Sequence, residues 1–154
     1  MESVEARDQL LLVERAAAAP YVQYPPTPWW YAPAVGAWTA AFIGDFAWWR
    51  VNGALFAASL GILVSAEALF LIWMRRRHGA LPMPGHGKPP VEIAAVWRGY
   101  FVGVVIIAIL VALAWWFGGV PVAAAVDFVL VTAGVAIYER KYAIAAGNVR
   151  DRLA

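Results

Sequence analysis

The chain has 154 residues, of which 63% are hydrophobic and only 14% are charged, whereas soluble domains average about 45–50% apolar residues. This composition excludes an ordinary soluble domain and predicts an integral membrane protein. The formal net charge is +2, but the basic residues flank apolar segments, which predicts membrane topology signals and no nucleic-acid partner. The absence of cysteine excludes disulfides, iron–sulfur clusters and thiolate chemistry.

Residues 1–28 are predicted to form a cytoplasmic N-terminal tail. Glu2, Glu5 and Asp8 place acidic residues where a secretory signal would be basic, so the segment is expected to stay in the mature chain. Two interpretations remain for its first part: a short amphipathic helix lying on the bilayer, or a solvated tail. The proline-rich residues 21–28 should be extended, because proline fixes φ and disfavours helix in the preceding residue.

Four apolar segments follow, and each is long enough to cross a bilayer as a helix of about 20 residues. Very short connections join the first segment to the second and the third to the fourth, the latter through Gly118, Gly119 and Pro121. The sequence therefore predicts an all-α, polytopic membrane protein with four transmembrane helices in two antiparallel hairpins. The predicted spans are residues 29–47, 53–74, 99–117 and 120–138, which together form one transmembrane domain, 29–138.

The distribution of basic residues predicts the orientation of these spans. Loop 75–98 and the basic tail 139–154 carry most of the Lys and Arg residues, while the two opposite turns share only Arg50. Because Lys and Arg concentrate on the cytoplasmic side, both termini and this loop are expected to be cytoplasmic, in a multi-pass protein of the plasma (inner) membrane. The loop's basic residues are also candidates for binding anionic lipid, at about 1 kcal/mol each: Arg75, Arg76, Arg77, Lys88 and Arg98.

Small residues recur at intervals of four along three of the predicted spans. This spacing lets two helix backbones approach closely in lipid. We expect the first two sets to form the packing seam of the first hairpin, with a dimer interface as the alternative. The sets are Gly36, Ala40 and Gly44 in the first span, Gly53, Ala57, Gly61 and Ser65 in the second, and Gly99 and Gly103 in the third.

Acidic residues within or near the predicted spans are the most informative anomalies. Glu67 and Asp127 lie inside spans, where an acid costs roughly 2.5–3.5 kcal/mol and marks a functional site by default. Asp45 lies near a span end, where it could snorkel or pair with Arg50. Three interpretations of Glu67 and Asp127 remain open: hydrogen bonding or protonation inside the bundle, contact with a basic or polar group of a partner, and, for Glu67, a proton-coupled substrate site.

The sequence contains no recognisable catalytic or cofactor motif, so no enzyme activity is predicted. Its only histidines, His78 and His86, fall in the central loop, so neither a haem nor another cofactor is expected, and no metal site is predicted. The function favoured is a non-catalytic accessory or structural subunit of a larger membrane complex or of a homo-oligomer. The alternative is a small proton-coupled transporter that uses Glu67.

Overall fold

The computed structural model describes residues 2–22, 27–78 and 88–153, and within them it contains four α-helices and no β-strand. The helices are α1 (Glu2–Val22), α2 (Tyr31–Asp45), α3 (Gly53–His78) and α4 (Val91–Leu153). The prediction of an all-helical protein is confirmed for this part of the chain. Residues 23–26 and 79–87, which include His86, lie outside the described residues, as do the side chains of Arg77 and His78.

Helix α4 consists of two helical arms that meet at Gly119. This glycine has φ 72° and ψ −172°, a backbone conformation that other residues rarely adopt. Pro121 follows in the first turn of the second arm, where the N–H that proline lacks would have no partner within the helix. We call residues 91–118 the first arm and residues 120–153 the second arm.

Contacts along both arms show that they run antiparallel and form a hairpin. The rings of Tyr100 and Tyr138 are 5.0 Å apart. Near the two ends of the helix, a guanidinium nitrogen of Arg152 lies 3.3 Å from a carboxylate oxygen of Glu92. The end of the hairpin opposite Gly119 is therefore where residues 91 and 153 come together, and we call it the open end.

Helices α2 and α3 form a second antiparallel pair. Asn52 caps the N-terminus of α3. Its side-chain amide oxygen accepts a hydrogen bond of 3.1 Å from the backbone N–H of Leu55. At the other end of the pair, the rings of Tyr31 and Phe70 stack at 6.4 Å. The short connection 46–52 therefore joins α2 and α3 as an antiparallel pair.

Helix α2 packs mainly on α4, and its tightest approach is at Gly36. A Cβ atom added to Gly36 would lie 2.8 Å from the backbone oxygen of Phe128 and closer still to the hydroxyl of Thr132. Helix α3, by contrast, contacts α2 and, within the described residues, packs against neither α1 nor α4. Within the predicted transmembrane domain, α2 is thus packed closely against the second arm of α4.

Helix α1 packs across the open end of the α4 hairpin, where most of the buried apolar side chains lie. The ring of Tyr21 meets that of Trp97 edge-on at 6.0 Å, and the Tyr142 hydroxyl donates a 3.0 Å hydrogen bond to the Tyr21 carbonyl oxygen. The Arg15 guanidinium donates to the carbonyl oxygen of Leu153. Residues 2–22 therefore form a helix whose second half is docked on α4, which differs from a solvated tail.

The second arm continues as helix through residues 139–153, which the sequence assigned to a basic tail. Glu139, Arg140 and Lys141 end the apolar segment, but they are good helix formers and do not end the helix. Beyond them, apolar residues at helical spacing are buried, and all but Ala146 pack in clusters that contain residues of α1. These residues are Ala145, Ala146, Val149 and Leu153.

Two of the described helices are long and apolar enough to cross a membrane: α3, over Gly53–Arg76, and α4. Helix α2 has 15 residues and a length of about 22 Å, which is less than the roughly 30 Å of a bilayer's hydrocarbon core. Neither α3 nor α4 buries its most apolar stretch, but α3 contacts only α2 among the described helices, whereas α1 and α2 both pack on α4.

Candidate functional site

Asp45 and Asp127 are the buried charged residues of the described chain, with exposures of 5% and 6%. Asp45 ends α2, and its Oδ1 accepts a hydrogen bond from the Ser59 hydroxyl of α3. Its Oδ2 has no partner within the described residues. Of the two alternatives for Asp45, the structure shows no pairing with Arg50, because the last turn of α2 directs this carboxyl group towards Ser59 of α3.

Asp127 lies on the second arm, where that arm faces α2. Its Oδ2 is buried and accepts no hydrogen bond from any described residue. Thr39 of α2 lies beside the same groove as Asp127, but the Thr39 hydroxyl donates to the carbonyl oxygen of Gly36 at 3.1 Å. The carboxyl group of Asp127 therefore sits in an interior with an unused acceptor, which is the situation that makes a buried acid costly.

Glu67 is half-buried on α3 and makes no hydrogen bond or ion pair with any other described residue. It does not line the groove that Asp127 lines. The structure therefore does not bring the predicted intramembrane acids together at one site. Each acid lies on a different helix: Asp45 on α2, Glu67 on α3 and Asp127 on α4.

The groove runs along the α4 hairpin between its two arms and has a volume of about 870 Å³. Most of its lining is apolar, and two glycines of the first arm, Gly99 and Gly103, keep it open. Gly134 of the second arm instead lies against Ile107, 3.1 Å from where its Cβ would stand. No atom lies within 4 Å of where a Cβ of Gly99 or Gly103 would stand. Polar and charged groups line it mainly near the open end of the hairpin: Glu92, Lys141 and Asn148.

The predicted packing seam between the first two spans is wrong. Gly36 does meet a neighbouring backbone closely, but that backbone belongs to α4. Gly44, Gly53 and Gly61 have open space where a Cβ would stand, and Ala57 and Ser65 are exposed. A small-residue spacing identifies backbones that can approach closely, and it does not identify which helix approaches. Ala40 is half-buried.

The predicted basic cluster is spread over separate elements in the structure. Arg75 and Arg76 are exposed at the end of α3, while Lys88 and Arg98 are exposed before and within the first arm. None of these four residues lines the groove.

Two charged residues that sequence reasoning did not single out are Lys141, which lines the groove, and Arg152, which joins α1 to α4. Arg152 lies 3.6 Å from a carboxylate oxygen of Glu14 as well as 3.3 Å from Glu92. The signal that could have found them is the helical spacing of the apolar residues from Ala145 to Leu153. That spacing continues the amphipathic pattern beyond the charged residues 139–141 and predicts that Lys141 and Arg152 lie on one long helix.

The described residues contain no group of three His, Cys, Asp or Glu side chains that could hold a metal ion. Comparison of the chain with models of protein families, with curated proteins and with solved structures gives no match. The described site thus consists of an apolar groove that is lined by the carboxyl group of Asp127 and, nearer the open end, by the charged side chains of Glu92 and Lys141.

Proposed function

We propose that this protein is a small multi-pass membrane protein that acts as a non-catalytic accessory or structural subunit, with α3 as the helix that docks on a partner protein or on a second copy. The single observation that carries this proposal is the surface of α3. Its most apolar 18-residue window contains no buried residue, as is also true of α4, but among the described helices α3 contacts only α2, whereas α4 contacts both α1 and α2. The core helix of a soluble protein is mostly buried, so an uncovered apolar helix is best accounted for by lipid and a membrane partner.

The positions of aromatic and basic residues support four crossings in two hairpins with cytoplasmic termini. The ring of Phe46 lies 5.4 Å from that of Trp115, so both hairpin turns are at the same end of the molecule, where Trp49 and Trp116 are exposed. Tryptophan at such a position is typical of a membrane–water interface. At the opposite end lie the basic end of α3 and the charged residues of the second arm.

The short helix α2 fits this proposal when the aromatic residues on either side of it are included in the span. Trp29 and Trp30 precede it and Phe46 and Trp48 follow it, and all four side chains are exposed. A helix shorter than the hydrocarbon core is accommodated by local thinning of the bilayer and by interfacial anchors at its ends.

Glu67 supports docking more than it supports transport. Glu67 is half-buried on the same stripe of α3 as Phe70, which stacks on Tyr31 of α2. Its carboxyl group needs a partner, and none of the other described residues supplies one. A transporter would instead need Glu67 along a pathway, and the groove is lined by residues of α2 and α4. We therefore assign the missing contact of Glu67 to a polar or basic group on the docking partner.

Purification of the full chain in native-membrane nanodiscs, followed by determination of subunit stoichiometry, tests this function. The expected result is a complex of fixed stoichiometry, either with a second protein or with further copies. Glu67→Gln should reduce the fraction of the chain found in the complex about tenfold. This corresponds to the loss of about one buried hydrogen bond to a charged group. Asp151→Asn, an exposed acid outside α3, should leave it unchanged.

The transporter alternative is tested in proteoliposomes with an imposed pH gradient. Monomeric protein that takes up substrate, with uptake abolished by Glu67→Gln, would overturn the subunit proposal. A fixed complex without gradient-driven uptake supports it.

A further inference from the structure

We propose that the groove along the α4 hairpin binds one membrane phospholipid whose headgroup carries a phosphate and a primary amine. Its phosphate would contact Lys141, its ammonium group Glu92, and one acyl chain would lie between the two arms. This proposal rests on one part of the proposed function, that the protein lies in a membrane. It adds a lipid ligand that a subunit role does not require.

Two charged residues that line the groove, Lys141 and Glu92, could form further hydrogen bonds or ion pairs. Lys141 is exposed and makes no ion pair within the described residues. Glu92 Oε1 contacts Arg152, while Glu92 Oε2 accepts no hydrogen bond from a described residue. A cation and an anion that line one groove match a zwitterionic headgroup in charge.

The order of these residues along the groove matches the order of groups in such a lipid. Glu92 is in the first turn of α4 and contacts Arg152, so it lies at the open end. The Tyr100–Tyr138 contact places Glu92 opposite about residue 146, five positions beyond Lys141, so the Lys141 backbone lies about 8 Å nearer the hairpin turn than that of Glu92. The phosphate would therefore sit deeper than the ammonium, next to the acyl chains.

The apolar part of the groove has the length of one leaflet. From Tyr138 to Asp127 the second arm rises by about 16 Å, which is half of a hydrocarbon core of roughly 30 Å. Gly103 lines this stretch and has no atom within 4 Å of where its Cβ would stand, which leaves room for a chain.

The headgroup chemistry separates this lipid from other abundant phospholipids. A primary ammonium donates hydrogen bonds to a carboxylate, whereas a quaternary choline has no N–H and a glycerol headgroup carries no cation. Lys141 would bind the phosphate of all three, and Glu92 would select the amine.

Native mass spectrometry of the full chain tests the proposal. The protein is reconstituted in vesicles of phosphatidylethanolamine, phosphatidylcholine and phosphatidylglycerol in equal amounts, and the lipids retained after detergent extraction are identified. One phosphatidylethanolamine per protomer should be retained, about fivefold over each of the others, which is the effect expected of one interfacial charge contact.

Variants at the two charged residues separate their roles. Lys141→Gln should lower retention of all three lipids about fivefold, whereas Arg98→Gln, an exposed basic residue outside the groove, should not. Glu92→Gln should remove the preference for the amine while lipid remains bound. Arg152→Gln breaks the same ion pair but keeps the carboxylate, so it should retain the preference.

Filling the groove gives an independent test. Gly103→Leu adds a side chain where no atom lies within 4 Å, so it should displace the lipid without lowering the midpoint of thermal unfolding. Gly147→Leu also enters open space, but outside the groove, and should retain the lipid.

Equal retention of the three lipids by the unaltered chain, or lipid retention unchanged by both Lys141→Gln and Gly103→Leu, would overturn the proposal. Alkaline carbonate extraction of the starting membranes separates this failure from failure of the proposed function. Protein that stays in the membrane but shows no lipid preference contradicts only the lipid site, whereas protein released into the supernatant contradicts both.

Discussion

Helices α2 and α3 are neighbouring apolar helices joined by a short turn, yet one is packed and the other is uncovered. Helix α2 approaches the second arm so closely at Gly36 that a Cβ atom would clash with the backbone of Phe128. Helix α3 carries Gly53, Ala57, Gly61 and Ser65 at the same spacing, and all four are exposed. Hydropathy and small-residue spacing therefore identify helices that are able to pack. The steric fit to a particular neighbour decides which of these helices is packed.

The largest expected effect comes from adding a side chain at the close approach of α2. Gly36→Leu should lower the free energy of unfolding by about 3 kcal/mol, because overpacking a filled interface displaces backbone as well as side chains. Circular dichroism during thermal unfolding in detergent micelles measures it. Gly61→Leu is the matched change on α3 and should alter stability by no more than about 1 kcal/mol. Equal losses from the two substitutions would show that α3 is packed as α2 is.

A smaller effect is expected at the polar contact between α2 and α3. Ser59→Ala removes the hydrogen bond to the buried Asp45 carboxylate and should destabilise the protein by about 1–2 kcal/mol, because a charged acceptor loses its donor. Ser65→Ala changes an exposed serine on the same helix and serves as the control in the same unfolding measurement. If the two variants unfold at the same temperature, Ser59 does not hold α3 against α2.

The smallest effect distinguishes two threonines at the interface of α2 and α4. The Thr132 hydroxyl is buried without a partner within the described residues, so Thr132→Val should be neutral or stabilise by up to about 1 kcal/mol. The Thr39 hydroxyl donates to the Gly36 carbonyl oxygen, so Thr39→Val should destabilise by a similar amount. The reverse order of stabilities would mean that Thr132 has a hydrogen-bond partner.

The helical class and two long apolar helices could be predicted from the sequence because period and composition determine both. The docking of α1 could not, since the contact depends on Tyr21 fitting beside Trp97, residues separated by most of the chain. The end of α4 was misplaced because charged residues 139–141 end a hydrophobic segment without ending a helix. Asp127 was identified from its sequence context as a polar residue in an apolar helix, but its place beside a groove depends on how the two arms pair.

The direct test of the uncovered α3 is photo-crosslinking in native membranes from single positions on two apolar helices. A photoreactive residue at Ile62 of α3, which is 69% exposed, is compared with one at Val105 of α4, which is also exposed. The account predicts a protein adduct of one defined mass from Ile62, weakened by Glu67→Gln, and chiefly lipid adducts from Val105. Lipid adducts alone from Ile62, at the same yield as from Val105, would contradict α3 as the docking helix.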